Sequence, residues 1–241
     1  MLEPPGTIGN VAVCERLSFR LAWLISSAQL RLSRGRVLHY LPPMGPDSAW
    51  YHLAVVVRPP AQVVPSVMPA LKRLREIDTH HYYYPPDSMH VTIGGVSQFL
   101  TDGLNAATRL AELRTLIGSY PGFDLTLRGL NVSPSTVFAQ VIPHSGTLRA
   151  LRTDLRMLGH PTNEASGLGH FVRDLLPHMN IVRLSGRVTA DFLNEVSRSR
   201  RVRFGRWTVR EVELIWSDTL LSREGRLVLE RIPLAPVHPA S

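Results

Sequence analysis

Two short stretches limit this chain more than any others: SMHVTIGGV at 88–96 and LPHMNIVRL at 176–184. Each is an apolar run carrying a histidine, one apolar residue, and then a small polar residue. Read as strands, they alternate, so His90 and Thr92 share one face while Val91 and Ile93 take the other. In the same way His178 and Asn180 share a face opposite Met179 and Ile181. Both strands therefore offer a core-facing apolar pair and a polar pair on the side left open. A fold that buries one side of both can gather two imidazoles and two hydrogen-bonding side chains in one small volume.

The rest of the chain alternates strand and helix patterns. WYHLAVVVRPP reads as a buried strand ended by prolines. Ser66 is placed as the cap of a helix burying Val67, Leu71 and Leu74, with Pro69 tolerated in its first turn. Asp102 caps a second helix carrying Leu110, Leu113 and Ile117. FDLTLRGLNVSPSTVFAQVI reads as two strands turning at Ser133–Pro134. Ser145 opens a helix with Leu148, Leu151, Leu155 and Leu158 on one face, closed at Gly159. Thr189 caps another through Phe192 and Val196, and WTVREVELIWSD and GRLVLERIPL read as the last two strands. Tight turns between neighbouring strands favour an α+β fold of mostly antiparallel sheets over a doubly wound parallel one.

Composition adds bounds. Among 241 residues, 44% are hydrophobic and 19% charged, an ordinary balance for a globular chain. A single cysteine, Cys14, permits neither an intrachain disulfide nor a thiolate metal cage, which favours a reducing, cytoplasmic setting. The net charge of +8 comes almost wholly from arginine, since Lys72 is the only lysine. Guanidinium forks suit phosphate-bearing partners. Arginines at 198, 200, 201, 203, 206 and 210 are concentrated enough to extend an RNA-binding surface, or to form a solvated face. No window is long and apolar enough to span a bilayer. Near the start, Leu17, Leu21, Leu24, Ile25 and Ala28 fall on one helical face, read as packing on the domain. The Pro/Gly-rich 41–48 ends this extension, giving a helical segment at 1–45, a main domain at 46–234 and a loose tail at 235–241.

Paired imidazoles suit phosphodiester cleavage. One neutral ring takes a proton from the nucleophile, while one imidazolium gives a proton to the leaving oxygen. The Thr92 hydroxyl and Asn180 amide are placed to hold the non-bridging oxygens. The scheme calls for no metal and no cofactor. Tyr82, Tyr84 and Phe171 lie near the two histidines in sequence and are candidates for stacking on a base.

These motifs resemble the two-histidine (2H) phosphoesterase superfamily, which includes 2′-5′ RNA ligase-like proteins and cyclic phosphodiesterases. HVTI matches the first copy of its H-x-[T/S]-apolar strand, and PHMNIVRL matches the second with its preceding proline and following arginine. The spacing, 178 − 90 = 88 residues, also resembles the family's, and the likeness runs from about 50 to 234. It implies a bilobal, pseudo-symmetric fold with two sheets flanking a central cleft and helices outside. It implies His90 and His178 as the acid–base pair, with Thr92, Asn180 and Arg183 on the phosphate. Asn180 departs from the family's usual Thr or Ser, and strict alternation turns Arg183 away from His178. The expected activity is hydrolysis of a 2′,3′-cyclic phosphate or 2′-5′ bond at an RNA end or in a small nucleotide, by a monomer. The alternative is a degenerate module that binds such ends without turnover.

Overall fold

A computed structural model describes residues 7–37, 51–97, 106–159 and 176–236. Among the described residues the α-helices are α1 (Thr7–Leu32), α2 (Val64–Ile77), α3 (Ala106–Gly118), α4 (Thr147–Gly159) and α5 (Ala190–Arg198). Nine strands run β1 (His52–Val57), β2 (Tyr82–Tyr83), β3 (Val91–Gly95), β4 (Phe123–Val132), β5 (Thr136–Pro143), β6 (His178–Arg183), β7 (Arg203–Val209), β8 (Glu211–Ser217) and β9 (Arg226–Pro233). The fold is α+β, and every strand pair is antiparallel.

The strands form one sheet in the order β7-β4-β5-β6-β3-β1-β8-β9, with β2 added beside β6. The two expected sheets are two four-stranded halves of this one, continuous through a central seam of β6 against β3. WTVREVELIWSD is not one strand but parts of two, β7 at one edge and β8 in the opposite half, joined through exposed Arg210. A one-residue link between such distant strands requires the twisted sheet to curl until its ends approach. Bonds from Leu234 to Arg210 and from Ala235 to Tyr120 tie those ends together.

Local chemistry explains where the helices start. Thr189 accepts a hydrogen bond from the Phe192 N–H, capping α5 as expected. Helix α2 begins at Val64, earlier than the Ser66 cap supposed. Pro65 takes the early position suited to a missing N–H, Pro69 lies inside the helix, and the Ser66 hydroxyl donates back to the Val63 carbonyl. Ser145 accepts from the Thr147 N–H at the start of α4. Asp102 and the segments 41–48 and 237–241 lie outside the described residues.

Helix α1 forms, but it packs through the other face. Leu17, Leu21, Leu24 and Ile25 are 57–61% exposed, whereas Phe19, Trp23 and Leu30 are buried. The helix carries two apolar faces, and the aromatic one covers more area per residue. Phe19 joins Phe138, Ile142 and Leu176, while Trp23 and Leu30 enter the main core. The Asn131 amide donates to the Phe19 carbonyl, fixing the helix on β4. After α1, the carbonyl of Gly35 (φ +79°) accepts from the Val188 N–H, and a Cβ at Gly35 would lie 2.0 Å from the Val188 carbonyl oxygen. Among the described residues no helix is long and apolar enough to cross a membrane.

Candidate active site at the central seam

The two histidine strands are adjacent neighbours at the centre of the sheet, one from each half. Val91 pairs with Met179, and both side chains are buried. Continuing that antiparallel register one residue each way sets His90 beside Asn180 and Thr92 beside His178. Directly opposed side chains are about 5 Å apart at Cβ, and the diagonal His90–His178 pair about 7 Å. Each histidine thus faces the other strand's polar residue, and all four project from the same side. Thr92 is exposed, while Asn180 is half-buried and lies with its Oδ1 3.2 Å from the Thr136 hydroxyl.

Both rings are anchored alike. The Nδ1 of His90 lies 2.8 Å from the Ser88 carbonyl, and the Nδ1 of His178 lies 2.8 Å from the Leu176 carbonyl. A carbonyl only accepts, so each Nδ1 carries the proton. In the neutral ring Nε2 is then left as the acceptor. The anchors arise locally, because each strand is entered through a turn whose carbonyl two residues back meets the ring.

Burial pushes the His90 pKa down to about 4, and the neighbouring charges of Arg58, His178 and His52 act in the same direction. The bond to Ser88 opposes them. His90 is therefore a neutral imidazole at pH 7. Arg58 is held by Glu213 at 2.9 Å and donates to the carbonyls of Asp87 and Met89, which brackets the His90 turn. His52 and Arg58 were not singled out by motif. Their signal was alternation, since 52, 54, 56 and 58 fall on one side of β1, and Val56 pairs with Thr92.

On the other flank, Phe138 pairs with Asn180 and sets its ring 5.3 Å from the His178 ring. Phe19 of α1 lies 6.4 Å behind it. Neither phenylalanine was a candidate from sequence, because an aromatic in an apolar strand reads as core.

Other candidates fall elsewhere. Tyr84 is fully buried, so its ring has no face to offer a base. Tyr82 is half-buried and packs edge-on to it at 5.1 Å. Arg183 reaches the Tyr84 hydroxyl at 3.4 Å, five strand residues or roughly 16 Å along β6 from His178. The β6 register slips by one residue between Asn180 and Val182, so Arg183 pairs with Thr136 on the same β5 face whose Phe138 and Gln140 pair with Asn180 and His178, and the bulge undoes the alternation that would have turned it away. Phe171 lies outside the described residues. Among the described residues no three His, Cys, Asp or Glu side chains gather as a metal set.

A single antiparallel sheet with one histidine–x–polar strand from each half at its seam defines a two-histidine phosphoesterase fold. The model of the 2′-5′ RNA ligase superfamily matches residues 59–220, and the chain belongs to that family. The structure is similar to TT0787 of Thermus thermophilus, at 22% identity and TM-score 0.55, over 78% of this chain and 100% of that one. It is also similar to E. coli LigT complexed with 3′-AMP, at 19% identity and TM-score 0.52, over 76% of this chain and 97% of the other. LigT complexed with ATP matches at 18% identity and TM-score 0.51, over 76% and 98%. No curated protein matches the chain. Helix α1 precedes the matched segment.

Proposed function

We propose that the chain is a phosphodiesterase that hydrolyses 2′,3′-cyclic phosphates or 2′-5′ bonds of RNA ends or small nucleotides, without metal or cofactor. The observation that carries this reading is the matched pair of anchors. Two rings on one side of the seam hold the same tautomer, each with its Nδ1 against the carbonyl two residues back.

In a cyclic substrate, water attacks phosphorus while a P–O bond to the ribose breaks. His90, neutral because it is buried, accepts the water proton at Nε2. The anionic phosphate beside it favours the protonated ring and offsets part of the burial effect. His178, as imidazolium, donates a proton to the departing ribose oxygen. The product is a phosphomonoester, and exchange with solvent returns each ring to its starting state. Thr92 and the Asn180 amide hold the non-bridging oxygens. That the similar LigT is found complexed with 3′-AMP and with ATP supports a nucleotide-sized ligand here.

The test is turnover of 2′,3′-cyclic nucleotides and a 2′-5′-linked dinucleotide in excess EDTA, with products separated by chromatography. Phosphomonoester formation from one of them supports the reading. Intact substrates with tight binding would favour the non-catalytic module instead.

A further inference from the structure

Beside the seam lies a cavity of about 430 Å³ whose lining includes five arginines. Arg20 comes from α1, Arg128 from β4, and Arg198, Arg200 and Arg201 from the turn that ends α5, with Gln140 of β5 on the wall. Of these five, among the described residues, only Arg198 has a carboxylate partner, Glu195 at 3.3 Å. Burial lowers the pKa of Arg200, and the charges of Arg201 and Arg20 lower it further. The heads of Arg20, Arg200 and Arg201 are thus held near one another around the cavity, at an electrostatic cost that an anion between them would relieve.

Backbone geometry builds this pocket. Gly129 has φ +68°, and a Cβ there would lie 2.1 Å from the Arg200 carbonyl oxygen, so only glycine lets the 198–201 turn approach β4 so closely. Its N–H donates to the Val202 carbonyl at 2.7 Å. From the other side, Trp23 of α1 lies under the Arg200 guanidinium, 4.6 Å from ring centroid to Cζ.

The pocket is connected to the histidines in two ways. Arg128 pairs with Gln140, and Gln140 pairs with His178, so three side chains form a row across β4, β5 and β6. Two strand spacings place Arg128 roughly 10 Å from His178. Phe19, which also lines the cavity, reaches His178 through Phe138.

We infer that this pocket binds a second phosphate of the substrate, the backbone phosphate next to the reacting one, and that the substrate is therefore an RNA strand end and not a mononucleotide. This rests on the proposed phosphodiesterase reading, and it gives α1 a part in choosing the substrate. Arginine forks match phosphate oxygens, and a lone cyclic mononucleotide has no phosphate to place there.

The experiment measures binding and turnover separately on the full chain. A cyclic mononucleotide is compared with a trinucleotide ending in a 2′,3′-cyclic phosphate, across a salt series, for wild type and for Arg20→Gln, Arg128→Gln and Arg201→Gln. Arg20 and Arg201 are exposed, so these variants keep the comparison available if Arg128→Gln folds poorly. In wild type the trinucleotide should bind at least about tenfold more tightly than the mononucleotide. Each substitution should erase most of that advantage and flatten the slope of log K against log salt by about 0.7 for one lost single-strand phosphate contact. Equal affinity for both substrates in wild type, or an advantage that survives in all three variants, overturns the inference. Turnover without length preference defeats only the second-phosphate pocket. Length-dependent binding without turnover defeats only the catalytic reading.

Discussion

His90 and His178 hold their rings in the same way, each Nδ1 against the carbonyl two residues back at 2.8 Å. The two rings differ in burial, since His90 is buried and His178 half-buried. Nitrogen-15 NMR of the imidazoles should find the Nδ1–H tautomer of neutral His90, and its ring should stay neutral until the pH falls to about 4. A His90 ring titrating near 6.5 would remove the assignment of His90 as the base.

The same shift has a consequence for stability. In the unfolded chain the ring titrates near 6.5, and in the folded chain at about 4. Between those values the unfolded state binds more protons, so the contribution is complete above pH 6.5 and is lost as pH falls toward 4. His81, also lowered chiefly by burial, acts in the same direction. The difference in unfolding free energy from urea titration between wild type and His90→Asn therefore isolates the His90 part. It should change by a few kcal/mol across this window and level off above it. A difference independent of pH from 4 to 7 would contradict the burial argument.

Phe138 positions His178. Phe138→Leu keeps an apolar side chain but removes the ring at 5.3 Å. We expect kcat to fall about tenfold with KM within about twofold, because a misplaced proton donor affects the transition state more than binding. A rise in KM with kcat intact would mean that Phe138 contacts substrate instead.

Helix α1 offers a test of which face it buries. Trp23→Ala should cost about 3–5 kcal/mol, whereas Leu24→Ser, on the exposed side, should stay within about 0.5 kcal/mol. Thermal or urea unfolding of the two variants decides it. The reverse order would place Leu24 inward. Because Trp23 and Leu30 belong to the main core, removing residues 1–45 should destabilise the domain as a whole.

Much of the site was legible because it depends on alternation. One tripeptide fixes which two side chains share a face, and two of them fix four residues of the seam. What alternation could not supply was which strands become neighbours, a long-range matter of sheet order. That is why alternation alone left open whether the two histidine strands lie side by side. The same gap hid Phe138 and Gln140, whose pairing with β6 gives them their roles. In α1 the periodicity was real but doubly satisfied, and the partners, Phe138 and Ile142 on β5 under Phe19 and the main core under Trp23 and Leu30, decide which face is buried. Tyr84 reads as a base-stacking candidate before a pair of prolines, yet its N–H bonds to the Ile181 carbonyl and its ring is buried in the core.

The most direct test of the paired-histidine mechanism is a double-mutant cycle in EDTA on the substrate that wild type cleaves. His90→Ala and His178→Ala should each lower kcat/KM by about 10²–10⁴. Because the two rings act as a unit, the double variant should be little worse than the poorer single one. Either single variant within a few fold of wild type, or losses that simply multiply in the double variant, would contradict it.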